Sequence, residues 1–398
     1  MIAAAYDQPM RVLILGLSSM FALACVAQSP VSDSVKVLVG RLDLDKYKAT
    51  IRGLTQFGDR REGTDRNRAA IDWIEDKLKA DGCNNTVRLK YIYSPADPVL
   101  PSGPTLTRSP DAAEGRARYR GVRAHTGVNT DPTRTDLKLR TLNTQPSQAG
   151  PREEVYCTKI GANHPEEMYI VGAHMDGHGW GEAANDDGSG SALVMELARV
   201  FSSPDVRTEC SIRFVLWNNE ETGLNGSRAY VQQRGPLQGR EDPAGSGRYP
   251  EPRWLAMIQH DMMLFDHGMP QADGTVAKRQ RPEADVNIEF QSAAKFAESA
   301  QKLAWEFYSA NEAYASDYPA AIGPHMTNTD STPFMDLVPS ISLRENERGR
   351  EIGAGWDPHW HQATDRYDTF SDQDFRLGLN AAQTSLGAIA RLTGATLR

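Results

Sequence analysis

Residues 168–200 read MYIVGAHMDGHGWGEAANDDGSGSALVMELARV, a strand that passes through a two-part loop into a helix. Met168 to Ala173 is a short apolar run, the pattern of a buried strand, and His174 and Asp176 follow at its carboxyl end. Asn185-Asp186-Asp187 and Gly188-Ser189-Gly190 then lead into a helix with Leu193, Leu197, Val200 and Phe201 on one face. A histidine and three acids thus crowd the end of a buried strand, and no basic residue accompanies them. So many uncompensated carboxylates are costly unless a cation sits among them. The cation expected is a metal.

Outward from this stretch the same alternation continues. Upstream, Tyr47, Ile51 and Leu54 share a helical face, as do Ile71, Ile74 and Leu78 before Gly82, and Thr86 to Tyr93 alternates like a strand. Glu154 to Ile160 is a further strand. Downstream, Ser211 to Trp217 is apolar and runs into Asn218-Asn219-Glu220-Glu221-Thr222-Gly223; Trp254 to Ile258 runs into Gln259-His260-Asp261. A long loop to Ala284, a helix through Phe296, Ala300, Leu303 and Phe307, a last strand at Pro339 to Leu343 and a closing helix through Phe375, Leu379, Ala382 and Leu386 complete the chain. Strands alternating with helices predict an α/β fold, a three-layer sandwich with a largely parallel central sheet flanked by helices. It is expected as a single domain over 34–398. Residues 94–150, rich in Pro, Gly, Thr and Arg and without period, are expected as a long surface excursion, with a substrate-covering lid as the functional alternative.

The 398 residues carry a formal net charge of -8, which argues against nucleic acid as a partner. Arg11 followed by the apolar run Val12–Ala27 has the layout of a secretory signal, so residues 1–27 are expected to be a signal peptide and the protein to be exported. Lipid attachment through Cys25 is the lesser alternative, because Ala22 stands where such signals have a larger aliphatic residue. No membrane span is expected in the mature chain, and a monomer is expected. Loss of Cys25 would leave Cys83, Cys157 and Cys210, an odd number with no CxxC spacing; at least one thiol stays out of any internal bond, and a thiolate zinc site is not expected.

Three apolar strands therefore end in acids or imidazole: His174 with Asp176, Glu220 with Glu221, and Asp261. Open α/β sheets build their sites beyond the carboxyl ends of strands. Carboxylates mixed with imidazole, without thiolate, suit zinc. The last element is the Asp357–Asp365 loop, with His359 and His361, before the closing helix.

The succession GAHMDG, ANDDGSG, NNEETGLNGSRAY, QHDMM and HQATD resembles the zinc exopeptidase family that includes bacterial leucyl aminopeptidase, aminopeptidase Y, glutamate carboxypeptidase II and glutaminyl cyclase. The similarity covers about residues 40–398 and is weakest before Gly150. It implies two zinc ions: His174 and Asp261 on one, Glu221 and His361 on the other, Asp186 bridging both. It further implies Glu220 as general base, Asp176 as the group that orients His174, a cis bond between Asp186 and Asp187, and hydrolysis of N-terminal bonds in peptide substrates. His361 is preferred to His359 because Asp365 follows it by four residues. His125, His164, His178, His260 and His267 are expected on the surface or around the centre without touching metal. Two departures are visible: Thr329-Asp330-Ser331-Thr332-Pro333-Phe334 replaces the usual Ser-Asp-His before Pro-Phe, and Met326, beside His325, falls where some members have an oxyanion-assisting tyrosine. The rivals are a single-zinc glutaminyl cyclase, which the second acid of NDDGSG disfavours; a carboxypeptidase; and a non-catalytic receptor-like module, disfavoured because every ligand position is filled.

Overall fold

The strand that ends in His174 lies in the middle of a mixed eight-stranded sheet. In the computed structural model, residues 33–94, 149–178, 181–265, 286–326, 328–345, 357 and 359–398 are described. The strands are β1 (Val87–Tyr93), β2 (Gly150–Lys159), β3 (His164–His174), β4 (Val206–Arg207), β5 (Cys210–Trp217), β6 (Arg253–His260), β7 (Val286–Phe290), β8 (Ala320–Gly323), β9 (Ser340–Glu345) and β10 (Thr396–Leu397). The sheet runs β1-β2-β5-β3-β6-β9-β7-β8, and β10 pairs with β4 apart from it. The helices are α1 (Ser34–Val39), α2 (Leu44–Thr55), α3 (Asp65–Ala80), α4 (Gly188–Phe201), α5 (Asn225–Arg234), α6 (Ala297–Tyr314) and α7 (Asp372–Leu392).

The two faces of β3 serve two apolar layers. Val171 and Ala173 join the larger one, with Leu193, Leu197 and Phe201 of α4, Leu386 and Ile389 of α7, and Phe307 of α6. Met168 and Ile170 point the other way, onto Tyr230 of α5, Trp217, Trp254 and Phe334. That period-two division is what a strand covered on both faces requires. α4 begins at Asp187, whose carboxylate accepts from Gly190 N at 2.9 Å, and α7 begins with a capping box between Ser371 and Asp374.

The sheet is largely parallel, as expected: β5-β3, β3-β6, β6-β9 and β7-β8 pair parallel, whereas β1-β2, β2-β5 and β7-β9 pair antiparallel. Two readings are corrected. The strand placed at Glu154–Ile160 begins at Gly150, the residue that closes the expected excursion, because Gly150 to Tyr156 pair in register with Tyr93 to Val87. β7, β8 and α5 were not foreseen. The signal segment 1–27 with Arg11 and Cys25, the excursion apart from its ends, His125, His267 and most of the loop to Ala284 lie outside the described residues. No helix among the described residues is long and apolar enough to cross a membrane.

Arg88 ties α3 to the sheet edge, with ion pairs to Asp72 at 2.7 Å, Glu75 at 2.6 Å and Glu153 at 2.8 Å. Bonds from Lys79, and then from Thr86 and Arg88, hold the Glu75 carboxylate down to about 2. A depressed carboxylate stabilises the fold above its ordinary range, and that contribution is lost as pH falls toward the folded value. Glu75→Gln is therefore expected to flatten the loss of stability between about pH 5 and pH 2. Urea midpoints measured across that window check it; parallel curves for the two proteins would count against the bridge.

Candidate metal centre

Parallel register brings the three strand ends to one edge. His174 closes β3 opposite Trp217, the last residue of β5, and Gly172 stands opposite Gln259 near the end of β6. The chain leaving these strands carries Asp176, Glu220 with Glu221, and Asp261. Asp186 arrives from the loop before α4, and His361 from the loop before α7. The backbone is bent hard here: Ala183, Asn219, Met262 and His361 are non-glycine residues at φ 48°, 68°, 60° and 54°, in the left-handed region where side chains are unfavourable. The Asp186–Asp187 bond is cis.

Asp186 faces two ways. Its Oδ1 lies 3.1 Å from His174 Nε2, and its Oδ2 lies 2.9 Å from His361 Nε2. Asp261 Oδ1 completes the first group at 3.8 Å from His174 Nε2, and Glu221 Oε2 the second at 3.1 Å from His361 Nε2. Four-coordinate zinc with bonds of about 2.0–2.1 Å keeps its ligand atoms about 3.3 Å apart. Both groups have the spacing and the nitrogen–carboxylate chemistry for such an ion.

The supports differ from those expected. His174 Nδ1 meets the main-chain carbonyl of Asp176 at 2.9 Å, whereas the Asp176 carboxylate stands 3.8 Å away. A carbonyl only accepts, so Nδ1 carries the proton and Nε2 is left to face the acids. The Asp176 carboxylate instead accepts from the backbone N–H groups of Glu220 at 3.1 Å and Glu221 at 3.4 Å, fixing the turn that presents both glutamates. Asp187 accepts from His174 N, Gly190 N and Met262 N at 3.1, 2.9 and 3.1 Å, and so ties three elements together. Asp365 makes no hydrogen bond to His361; it accepts from Asn185 N at 2.7 Å and Asp186 N at 3.1 Å, fixing the backbone that carries the Asp186 carboxylate.

Basic groups are present after all, contributed by distant segments. Arg344 of β9, fully buried, pairs with Asp261 Oδ2 at 2.6 Å. Arg60, also buried, donates to Met175 O at 2.7 Å, Gly58 O at 3.0 Å, Glu182 O at 2.9 Å and Ala183 O at 2.7 Å, clamping the loop that carries Asp186. These guanidiniums do not neutralise the centre. Burial alone would lower both imidazoles, yet the Glu220 charge with Asp186 and Asp261 holds His174 well above its ordinary value, and Glu221 with Asp186 pushes His361 up to about 10. Burial would likewise raise Asp186, but bonding to both histidines drives it below the usual carboxylate range. The cluster draws positive charge into two adjacent places. Burial pushes Glu220 well above its ordinary range, and one oxygen of Glu221, Oε1, is buried with no hydrogen-bond partner.

Other expectations fare variously. His359 bonds to Thr364 Oγ1 at 2.9 Å, packs edge-on against Phe370 and donates its backbone N–H to Asp357 Oδ1 at 2.8 Å. His260 lies in the core between Gly172 O and Ser385 Oγ, and His164 is exposed beside Glu166. Asp330, from the divergent Thr329–Phe334 stretch, accepts from Ser227 Oγ at 2.5 Å. His178, by contrast, lies with Asp59, Asp186, Glu221 and His361 around the site cavity. Arg60, Arg344 and Asp59 were missed; no spacing in the sequence connects them to the acids.

A family model described as Peptidase family M28 matches residues 155–382, 228 of the 398. The chain is 32% identical over 168 residues to "Aminopeptidase YwaD" of Bacillus subtilis, covering 42% of this chain and 34% of that protein. It is 40% identical over 99 residues to the "Probable lipoprotein aminopeptidase LpqL" of Mycobacterium tuberculosis, 25% of this chain and 18% of that one. The match thus spans well under two thirds of either relative's length. Among solved structures, BSAP, a zinc aminopeptidase from Bacillus subtilis, superposes with a TM-score of 0.57 at 15% identity, over 88% of this chain and 95% of that one. Glutaminyl cyclase from Porphyromonas gingivalis gives 0.54 at 15%, over 88% and 99%. The fold is therefore shared with both, and the family match runs from β2 into α7, through every strand end that supplies the acids and imidazoles; the chain belongs to peptidase family M28.

Proposed function

We propose that this protein is a zinc-dependent aminopeptidase that hydrolyses N-terminal peptide bonds at a two-zinc centre. The observation that carries this reading is Asp186, whose two oxygens stand 3.1 and 2.9 Å from His174 and His361 respectively. In this reading His174 and Asp261 would hold one zinc, Glu221 and His361 the other, and Asp186 both; bound there, the ions would lower the pKa of a water and polarise the scissile carbonyl. Glu220 takes the proton as the water oxygen bonds to the carbonyl carbon, and delivers it to the leaving nitrogen as the C–N bond breaks. Burial raises the Glu220 carboxyl, the direction that strengthens it as a proton acceptor. Asp176 positions Glu220 through its backbone N–H, and Arg344 keeps Asp261 ionised and oriented. Export is part of the proposal: the buried Cys83–Cys157 disulfide suits an oxidising compartment.

Zinc content and substrate preference test the reading together. Two zincs per chain are expected, with cleavage of aminoacyl-p-nitroanilides, little action on N-acetylated peptides, and loss of activity to a chelator reversed by zinc. One zinc per chain with cyclisation of N-terminal glutamine would favour the cyclase instead. Release of C-terminal residues from blocked peptides would make it a carboxypeptidase.

A further inference from the structure

His178 is placed as a ligand would be, although nothing in the motifs assigns it one. It follows His174 by four residues, beyond the turn at Asp176. One ring nitrogen of His178, one of His361 and a carboxylate oxygen of Glu221 all lie within 4.8 Å of one another. The rings of His178 and His361 stack, with centroids 4.4 Å apart and planes at 30°. The approach is built into the backbone. A Cβ on Gly177 would stand 2.5 Å from the Ala183 Cβ and 2.6 Å from the Asp59 carbonyl, so only glycine lets the chain pass this closely and present the next residue to the site.

We propose that His178 is a further protein ligand of the zinc held by Glu221 and His361, an inference that rests on the two-zinc reading above. Asp186, Glu221, His361 and His178 would then give that ion four side-chain donors. The other, with His174, Asp186 and Asp261, would have three. Four protein donors are the mark of closed zinc sites, whereas sites that bind a reacting molecule keep a position free. The centre would thus be asymmetric: the ion on the His361 side would be the more tightly held, and the ion on the His174 side, with fewer protein donors, the more readily exchanged and the one with more room for the reacting water.

The test uses the full chain, loaded with Zn²⁺ and dialysed against a graded series of competing chelator, with bound metal measured directly. His361→Ala and Asp261→Ala identify which release step belongs to which ion. His178→Phe keeps a stacking ring and removes the nitrogens. It is expected to weaken the His361-side step at least about tenfold and to leave the other step where it was. An unchanged His361-side step overturns the proposal, as does a shift confined to the other step. Should the phenylalanine variant fail to fold, His178→Gln loaded with Co²⁺ asks the same question through visible absorption. A changed ligand-field band is expected, and a wild-type spectrum overturns the assignment. A wild-type chain that binds no zinc at all overturns this proposal and the two-zinc reading together, whereas two wild-type release steps with an indifferent His178→Phe overturn this one alone.

Discussion

Glu220→Gln is expected to keep both zincs and lose most of its turnover. The substitution preserves size and removes the base, and loss of general acid–base catalysis typically costs a factor of about 10²–10⁴. KM should change little, because in the proposed role the residue acts on a proton in flight and does not hold the ground state. Glu221→Gln should act differently, since its Oε2 stands 3.1 Å from His361 Nε2, among the atoms assigned to one ion. There the zinc count should fall toward one, and added zinc should restore part of the rate. Metal analysis beside steady-state kinetics on both variants separates the outcomes. If Glu220→Gln loses metal while Glu221→Gln keeps two, the roles are reversed. If neither touches activity, the hydrolase reading is wrong.

The neighbouring glutamates also mark how far the sequence could be read. Apolar runs that stop at an acid or imidazole are legible, because a buried strand announces itself by composition and the next residues must leave the sheet at its edge. His174, Glu220 and Asp261 were placed on that ground alone. The role of Asp187 was not legible. Composition counts it as one more carboxylate at the centre, but its oxygens are taken by three backbone N–H groups. The spacing of Asp365 from His361 suggests a link between the two, yet its carboxylate bonds the Asn185 and Asp186 backbone, a contact across 179 residues from Asp186.

What stayed hidden depends on pairing. β7 reads VNIEF, with Asn287 and Glu289 buried in a strand where a period-two reading expects apolar residues on a covered face. Its neighbours β8 and β9 supply the ladder, and Asn287 Nδ2 bonds Glu289 Oε1 at 3.0 Å. α5 reads NGSRAYVQQR, too polar for an apolar stripe; Tyr230 packs on Trp217 and Trp254, with Ala229 and Val231 beside that cluster, and Ser227 bonds Asp330. Arg344 and Arg60 are invisible for the same reason: the carboxylate that Arg344 pairs with and the carbonyls that Arg60 holds reach them only through the tertiary fold. The claim that no basic residue accompanies the acids is true of the chain segment and false of the site.

Removing the disulfide is expected to be the largest change in stability among these tests. Cys83, just beyond α3, and Cys157, inside β2, are bonded across a separation of 74 residues, and both are buried. A cross-link stabilises chiefly by limiting the unfolded chain, and a closed loop of that length corresponds to about 4 kcal/mol, roughly three orders of magnitude in the folding equilibrium. Sequence could not choose the pair, since three cysteines allow three pairings; the fold decides by leaving Cys210 alone in β5. Burial, with Glu167 beside it, pushes that remaining thiol up to about 11, so it stays protonated and slow to exchange at neutral pH. Cys83→Ala combined with Cys157→Ala should therefore lower the urea midpoint strongly and make it indifferent to reductant. Wild-type protein should fall to a similar midpoint once reduced, while Cys210→Ser should keep the wild-type response. A reductant that leaves the wild-type midpoint unmoved would mean that the bond is either absent or without consequence for folding. A response that follows Cys210 would mean that the pairing is wrong.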